Sequence, residues 1–266
     1  MRRASLLAAA VLAAGSVAAA PAPAPAACAK PVYLTFDTGH MGVADLIAQV
    51  LDRQHVHATF FLANEPARGG GSSLDDHWAA WWRARAAEGH AFGSHTYDHV
   101  YWQGDAGADT FRFKPQFGAA AGKRETWNID RYCAELDQSA DRFRAMTGQA
   151  MLPLFRAPGG KTSPALLRAV EQRCGYRHVG WADAGFLGDE LPSDRYPNAT
   201  LLQRALRNIK AGDILMAHLG IWSRRDPWAP AVLEPLIAGL KQKGFCFATL
   251  AEHPAYRDWL ASHPRR

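Results

Sequence analysis

Two histidines four residues apart, His95 and His99, are the first residues in this sequence whose type and spacing suggest chemistry. On one helical turn their imidazoles share a face and can reach one cation, at nitrogen to zinc distances of about 2.0 to 2.1 Å. Thr96 rather than Glu follows His95, so the HExxH pattern of zinc proteases is not met. Two of 11 His can also fall at this spacing by chance. Other reactive side chains decide the matter: Asp37, Arg156, Asp183 and His218 each follow or end an apolar run. They comprise carboxylates that can take a proton, a guanidinium that can hold a carboxylate ionised, and an imidazole that can deliver a proton. Singly, each has a plainer use: a turn Asp before Gly39, a surface Arg, a core His. Together they require the plain use to recur at every strand end.

Those runs, at 32–36, 56–62, 90–94, 152–155, 176–181, 213–217 and 245–250, are short and rich in aromatic and β-branched residues. Helical patterns separate them. Val43, Leu46, Ile47, Val50 and Leu51 recur on one face, a second helix is read over 76–88, and Ser163 with Pro164 opens another that Gly175 closes. Strand and helix alternating about seven times predict a parallel sheet covered by helices, a barrel or a doubly wound sheet. Such folds place their sites just past the carboxyl ends of the strands, where the reactive residues fall.

The chain of 266 residues is 48% apolar, which suits one large domain or two small ones and excludes disorder. Its start reads as a basic pair, an apolar run over 6–14, then small residues through Ala20, the layout of a secretory signal. A product in the periplasm or secreted outside the cell is expected, with residues 1–27 as signal and Ala/Pro leader and 28–266 as the working domain. Without Arg2 and Arg3 the formal charge falls from +5 to +3, too even a balance to argue for nucleic acid. No apolar stretch is long enough for stable membrane insertion. Cys28, Cys133, Cys174 and Cys246 permit three disulfide connectivities. The strand order places Cys28 and Cys246 near the starts of the first and last strands, where they could meet. Oligomeric state is not legible.

At this point the residues acquire a family likeness. Thr35-Phe36-Asp37-Thr38-Gly39, Ala58-Thr59-Phe60-Phe61, Ser94-His95-Thr96-Tyr97-Asp98-His99, Arg156-Ala157-Pro158-Gly159-Gly160 and Met216-Ala217-His218 resemble, in order, the motifs of the polysaccharide deacetylase family, the NodB-homology fold. The likeness spans about residues 31 to 252. It implies a distorted (β/α)7-type barrel of parallel strands in a single domain. It also implies a metal-dependent hydrolase that removes N-acetyl groups from polysaccharide or oligosaccharide, chitin-like or peptidoglycan-like. On that resemblance Asp37 is the catalytic base, His218 the general acid, Arg156 the partner of Asp37, and Asp183 a support for Arg156 or His218. His95, His99 and Thr38 occupy the metal-ligand positions, with zinc expected and cobalt or nickel as alternatives. Backbone amides near Gly159 and Gly160 fall where an oxyanion is received, and Trp222, four residues after His218, offers a flat face to a sugar.

The sequence departs from that pattern. The family's first motif carries two adjacent Asp, the second a metal ligand, and Thr38 stands in that place. A neutral hydroxyl brings no charge to offset a cation. Thr38 or water completes a looser site, Asp37 turns onto the metal, or a residue such as His40 or Asp98 compensates. A glycine also replaces the aromatic usual after Pro158. A catalytically silent glycan-binding protein and an O-acetyl esterase using the same residues are the rival readings.

Overall fold

The computed structural model describes residues 28–266; the leader expected over 1–27 lies outside them. Within these residues the chain runs β1 (Pro31–Asp37), α1 (Ala44–Arg53), β2 (Thr59–Leu62), α2 (Ala79–Ala87), β3 (Ala91–Ser94), β4 (Val100–Asp105), β5 (Thr110–Pro115) and β6 (Glu125–Asn128). It continues through α3 (Ile129–Thr147), β7 (Leu154–Phe155), α4 (Pro164–Ala169), β8 (Arg177–His178), α5 (Asn198–Asn208), β9 (Ile214–His218), α6 (Leu233–Gln242), β10 (Cys246–Phe247) and α7 (Pro254–Ser262). Parallel strands stand in the order β10-β1-β2-β3-β7-β8, and β9 also pairs with β1. The sheet curls with helices around it into a distorted (β/α)7-type half-barrel, a single domain.

Strand β1 is buried from Val32 to Asp37, as a parallel strand covered on both faces must be. The matched registers Phe36↔Phe60 and Phe60↔Phe92 stack three rings across β1, β2 and β3 at 5.7 and 5.8 Å. This layer fixes how the three strand ends line up. The other link is Asp37↔His218, which sets the ends of β1 and β9 side by side. Beyond them the two loops are zipped: Leu219 donates its N–H to the Asp37 carbonyl at 3.0 Å, and His40 to that of Gly220 at 3.0 Å. Gly39 makes this approach possible. Its φ is +72°, and a Cβ there would lie 2.1 Å from the Gly220 carbonyl oxygen.

Helix α4 starts as the sequence predicts, with the Ser163 hydroxyl accepting from the Leu166 N–H at 3.1 Å and Pro164 in the first turn. Cys28 pairs with Cys246 and Cys133 with Cys174, at Cα separations of 6.0 and 5.0 Å. The first bridge is the one the strand order suggested, tying the start of the described chain to β10. The antiparallel sheet β4-β5-β6 was not foreseen. Its inner face buries Phe111, Phe113 and Trp127 against α3, with Phe113 stacked on Tyr132 at 4.6 Å. Among the described residues no helix is long and apolar enough to cross a membrane.

Candidate active site

Asp37, at the end of β1, is buried and bonded at Oδ1 by Arg156 Nη1 at 2.9 Å. Arg156 follows β7 and is wholly buried, which is tolerable because every arm of the guanidinium is used. Nη1 also donates to Thr35 Oγ1 (2.8 Å), Nε to the Val179 carbonyl (3.3 Å) and Nη2 to that of Gly180 (3.2 Å). The plane lies over the Phe61 ring at 4.4 Å. Burial by itself would raise the Asp37 carboxyl, but Arg156, then His95 and His218, outweigh it and hold it below the usual range. It is an ionised base.

His95 and His99 do not lie on a helix, contrary to the sequence reading. They flank a turn in which Thr96 and His99 have φ of +60° and +49°, values no helix contains. The turn is held by Thr96 Oγ1, which accepts the Val100 N–H at 2.7 Å, and by the Glu135 carboxylate, which accepts that of Asp98 at 2.8 Å. The two imidazoles still meet, edge to face, at 4.9 Å. His95 Nδ1 donates to the Arg156 carbonyl at 2.8 Å, and its Nε2 stands 3.7 Å from Asp37 Oδ2. His99 is pushed down to about 4 by burial and is neutral at ordinary pH. Its Nδ1 is buried without a hydrogen-bond partner among the described residues.

His218, ending β9, carries the complementary charge. Asp189 accepts its backbone N–H at 2.7 Å, and both carboxylate oxygens stand 3.2 Å from Nδ1. Burial would lower the imidazole, but Asp189, followed by Asp37 and Glu190, raises it to about 9. Asp183, expected to fill that supporting role, does not reach the site. It lines a surface cavity with Arg204, Arg207 and Lys210 near the start of β9. The reason is a run of chain beside β9 that the sequence did not reveal, a 3-10 turn at Asp183–Gly185 followed by a bridge at Phe186. Residues 182–187 lie beside β9, Ala182 donating to the Ile214 carbonyl (3.1 Å) and Leu187 to that of Met216 (3.2 Å). Asp183 is thus at the wrong end of this run, and Asp189 lies just past the right one.

Thr38, expected as a metal ligand, is engaged on both sides. Its hydroxyl donates to Glu65 Oε1 at 2.6 Å, and its oxygen accepts the Ala63 N–H at 3.1 Å. His40 accepts the Gly42 N–H at Nδ1, and the Asp98 carboxylate lies against Gly118. Gly159 and Gly160 both have positive φ, and their missing side chains are replaced by rings from elsewhere. A Cβ on Gly159 would fall 2.8 Å from the Tyr101 ring, and one on Gly160 2.7 Å from that of Trp181. The Gly160 N–H is occupied by the Ala157 carbonyl at 2.9 Å. Tyr101, from β4, also packs edge-on against His99 at 5.1 Å, supplying the aromatic wall that position 159 lacks. Trp222 is 66% exposed at the rim, 4.8 Å from the His40 ring. His40 and His218 line one cavity there with Arg68, Asp189, Arg224 and Trp228.

Asp189, Glu65 and Tyr101 are the residues sequence reasoning missed. Glu65 was within reach: it is the first carboxylate past the end of β2, where the strand-end rule applies as it does to β1 and β3. Among the described residues no three His, Cys, Asp or Glu side chains are poised to hold an ion as they stand. The donor chemistry nonetheless fits a borderline divalent cation, with the second ring nitrogen of His95, a nitrogen of neutral His99 that has no hydrogen-bond partner among the described residues, and the Asp37 carboxylate alongside.

Comparison with known proteins agrees with this fold. The polysaccharide deacetylase family model matches residues 25–179. The chitooligosaccharide deacetylase of Azorhizobium caulinodans is 25% identical over 229 residues, 82% of this chain and 92% of that protein. In fold, the chain is similar to a family 4 acetyl xylan esterase from Clostridium thermocellum in complex with a cobalt ion. That likeness has a TM-score of 0.64 at 22% identity, covering 86% of this chain and 92% of the other. It is also similar to a CE4 family pseudoenzyme from Bacillus anthracis, with a TM-score of 0.60 at 20% identity, covering 84% and 65%. The chain belongs to the polysaccharide deacetylase family, hydrolases that act on the amide bonds of N-acetyl groups.

Proposed function

We propose that the protein is an exported, divalent-metal-dependent deacetylase of N-acetylated glycan, chitin-like or peptidoglycan-like, with Asp37 as base and His218 as acid. The observation that carries this is the register Asp37↔His218, which sets a carboxyl held ionised beside an imidazole held protonated. Amide hydrolysis needs both at once, because water must lose a proton and an amine leaves poorly without gaining one. When bound by His95 and His99, a divalent cation, zinc or alternatively cobalt or nickel, supplies Lewis-acid activation of water and of the acetyl carbonyl. Asp37 takes the proton from the attacking water, with Arg156 fixing its orientation. His218 gives its proton to the departing sugar nitrogen, with Asp189 fixing the imidazole. The Gly159 amide receives the developing oxyanion, and Trp222 flanks the sugar chain at the rim. Two disulfides within the described residues support an oxidising destination, as does the leader at 1–27.

The substrate class follows the chitooligosaccharide deacetylase relative. Thr38 is the observation that favours the silent glycan-binding alternative, and the acetyl xylan esterase likeness keeps the O-acetyl reading in view. Acetate release from N-acetylglucosamine oligomers, peptidoglycan and acetylated xylan, each with and without added zinc or cobalt, separates the three. Release from an N-acetylated glycan, abolished by chelation and by His218→Ala, is expected. Release from acetylated xylan alone, or glycan binding without release under any metal, overturns the proposal.

A further inference from the structure

We propose that Glu65 supplies the carboxylate that Thr38 lacks, so that the cation site of this chain is His95, His99 and Glu65. The assignment rests on the metal-dependent reading above and moves one ligand from β1 to the loop after β2.

Geometry places the Glu65 carboxylate against the vacated position. Glu65 Oε1 accepts from Thr38 Oγ1 at 2.6 Å and from the Gly39 N–H at 2.7 Å, the side chain and the next peptide of the position that lost its Asp. Oε2 takes no hydrogen bond among the described residues. Thr38, accepting from Ala63 and donating to Glu65, serves as a strut for the carboxylate instead of a donor to an ion. The Glu65 backbone is fixed by Ser73, whose Oγ accepts its N–H at 2.9 Å and whose N–H donates to its carbonyl at 2.8 Å. The loop is also stitched to the histidine turn: His95 donates its N–H to the Leu62 carbonyl (2.9 Å), and Asn64 to that of Tyr97 (2.7 Å). His99 offers a buried nitrogen with no hydrogen-bond partner among the described residues. Two imidazoles and one carboxylate make a donor set that a borderline divalent ion accepts. Asp37 is left bonded to Arg156 and free of metal duty, so it can remain the base.

The test is cobalt(II) chloride titration followed by visible absorption and by equilibrium dialysis, on the full chain and on Glu65→Gln, His99→Ala and Thr38→Asp/Glu65→Gln. Glutamine keeps an oxygen for the bonds from Thr38 and Gly39 but removes the charge, so the melting temperature without metal should be unchanged. Cobalt affinity should fall by about 10-fold or more, and the double variant, with a carboxylate restored at 38, should regain it. Affinity unchanged in Glu65→Gln while His99→Ala loses the ion overturns the assignment and leaves the metal reading standing. If the unaltered chain binds no cobalt, the metal reading fails and this assignment with it. If Glu65→Gln does not fold, the comparison passes to Glu65→Asp. That variant keeps the charge on a shorter arm and should bind more weakly than the unaltered chain; equal affinity there overturns the assignment.

Discussion

Replacing Asp189 with Asn removes one negative charge while leaving an oxygen to accept the His218 backbone N–H, so the strand end is kept and only the electrostatics change. In the intact protein His218 rises from an ordinary 6.5 to about 9 despite burial, with Asp189 the largest of the raising influences. That difference corresponds to about 3 kcal/mol in favour of the imidazolium. Its sign is that of a base gaining a partner on folding. The stabilisation is complete below pH 6.5 and is lost as pH rises through about 9, and acid catalysis by His218 should fail over the same upper range. Asp37 and Glu190 still face the ring in the variant, so the imidazole does not lose all of its support. The alkaline limb of the rate profile should therefore move down by about 1 to 3 pH units, the usual effect of one adjacent opposite charge. The assay is acetate release against pH from 5 to 10 with saturating metal, together with an NMR titration of the His218 imidazole in the absence of substrate. A limb that stays near pH 9 in Asp189→Asn, with an unmoved imidazole titration, refutes both the pairing and the acid role built on it.

Three further outcomes are expected. Arg156→Met leaves Asp37 buried without its partner and should lower stability by about 3 to 5 kcal/mol, read by denaturant unfolding; a loss under 1 kcal/mol would mean the buried pair is not what holds this strand end. Trp222→Ala, at an exposed rim residue, should raise KM for glycan oligomers several-fold with kcat nearly unchanged; an equal KM removes the indole from the binding surface. Asp183→Asn should leave kcat/KM within about twofold, because its carboxylate lies in the cavity near the start of β9; a loss like that of Asp189→Asn would reverse their placement.

Much of the site was legible because parallel strands carry their chemistry at one end. Once the runs at 32–36, 90–94, 152–155 and 213–217 are read as strands, Asp37, His95, Arg156 and His218 fall at their carboxyl ends without knowledge of any contact. The convergence then follows from the pairing of β1 with β2 and β9, and of β3 with β7. The failures share one physical origin. Asp183 is the carboxylate the sequence reading singles out and Asp189 goes unnoticed there, because the path of 182–187 along β9 is set by hydrogen bonds to another strand, which no local pattern encodes. The helical turn assigned to His95 and His99 gave way to positive φ at Thr96 and His99, held by the remote carboxylate of Glu135.

By itself the sequence determined the alternation of strands and helices, the strand ends where reactive groups gather, and the loss of a carboxylate at position 38, since periodicity, caps and residue identity are local properties. Only the tertiary structure decided which groups touch: Asp189 with His218, Glu65 with Thr38, Tyr101 over Gly159. Those pairs join residues from 27 to 58 positions apart. Contact between them depends on how neighbouring strands are registered and how the intervening loops are tied, and that is fixed by the packing of the whole barrel.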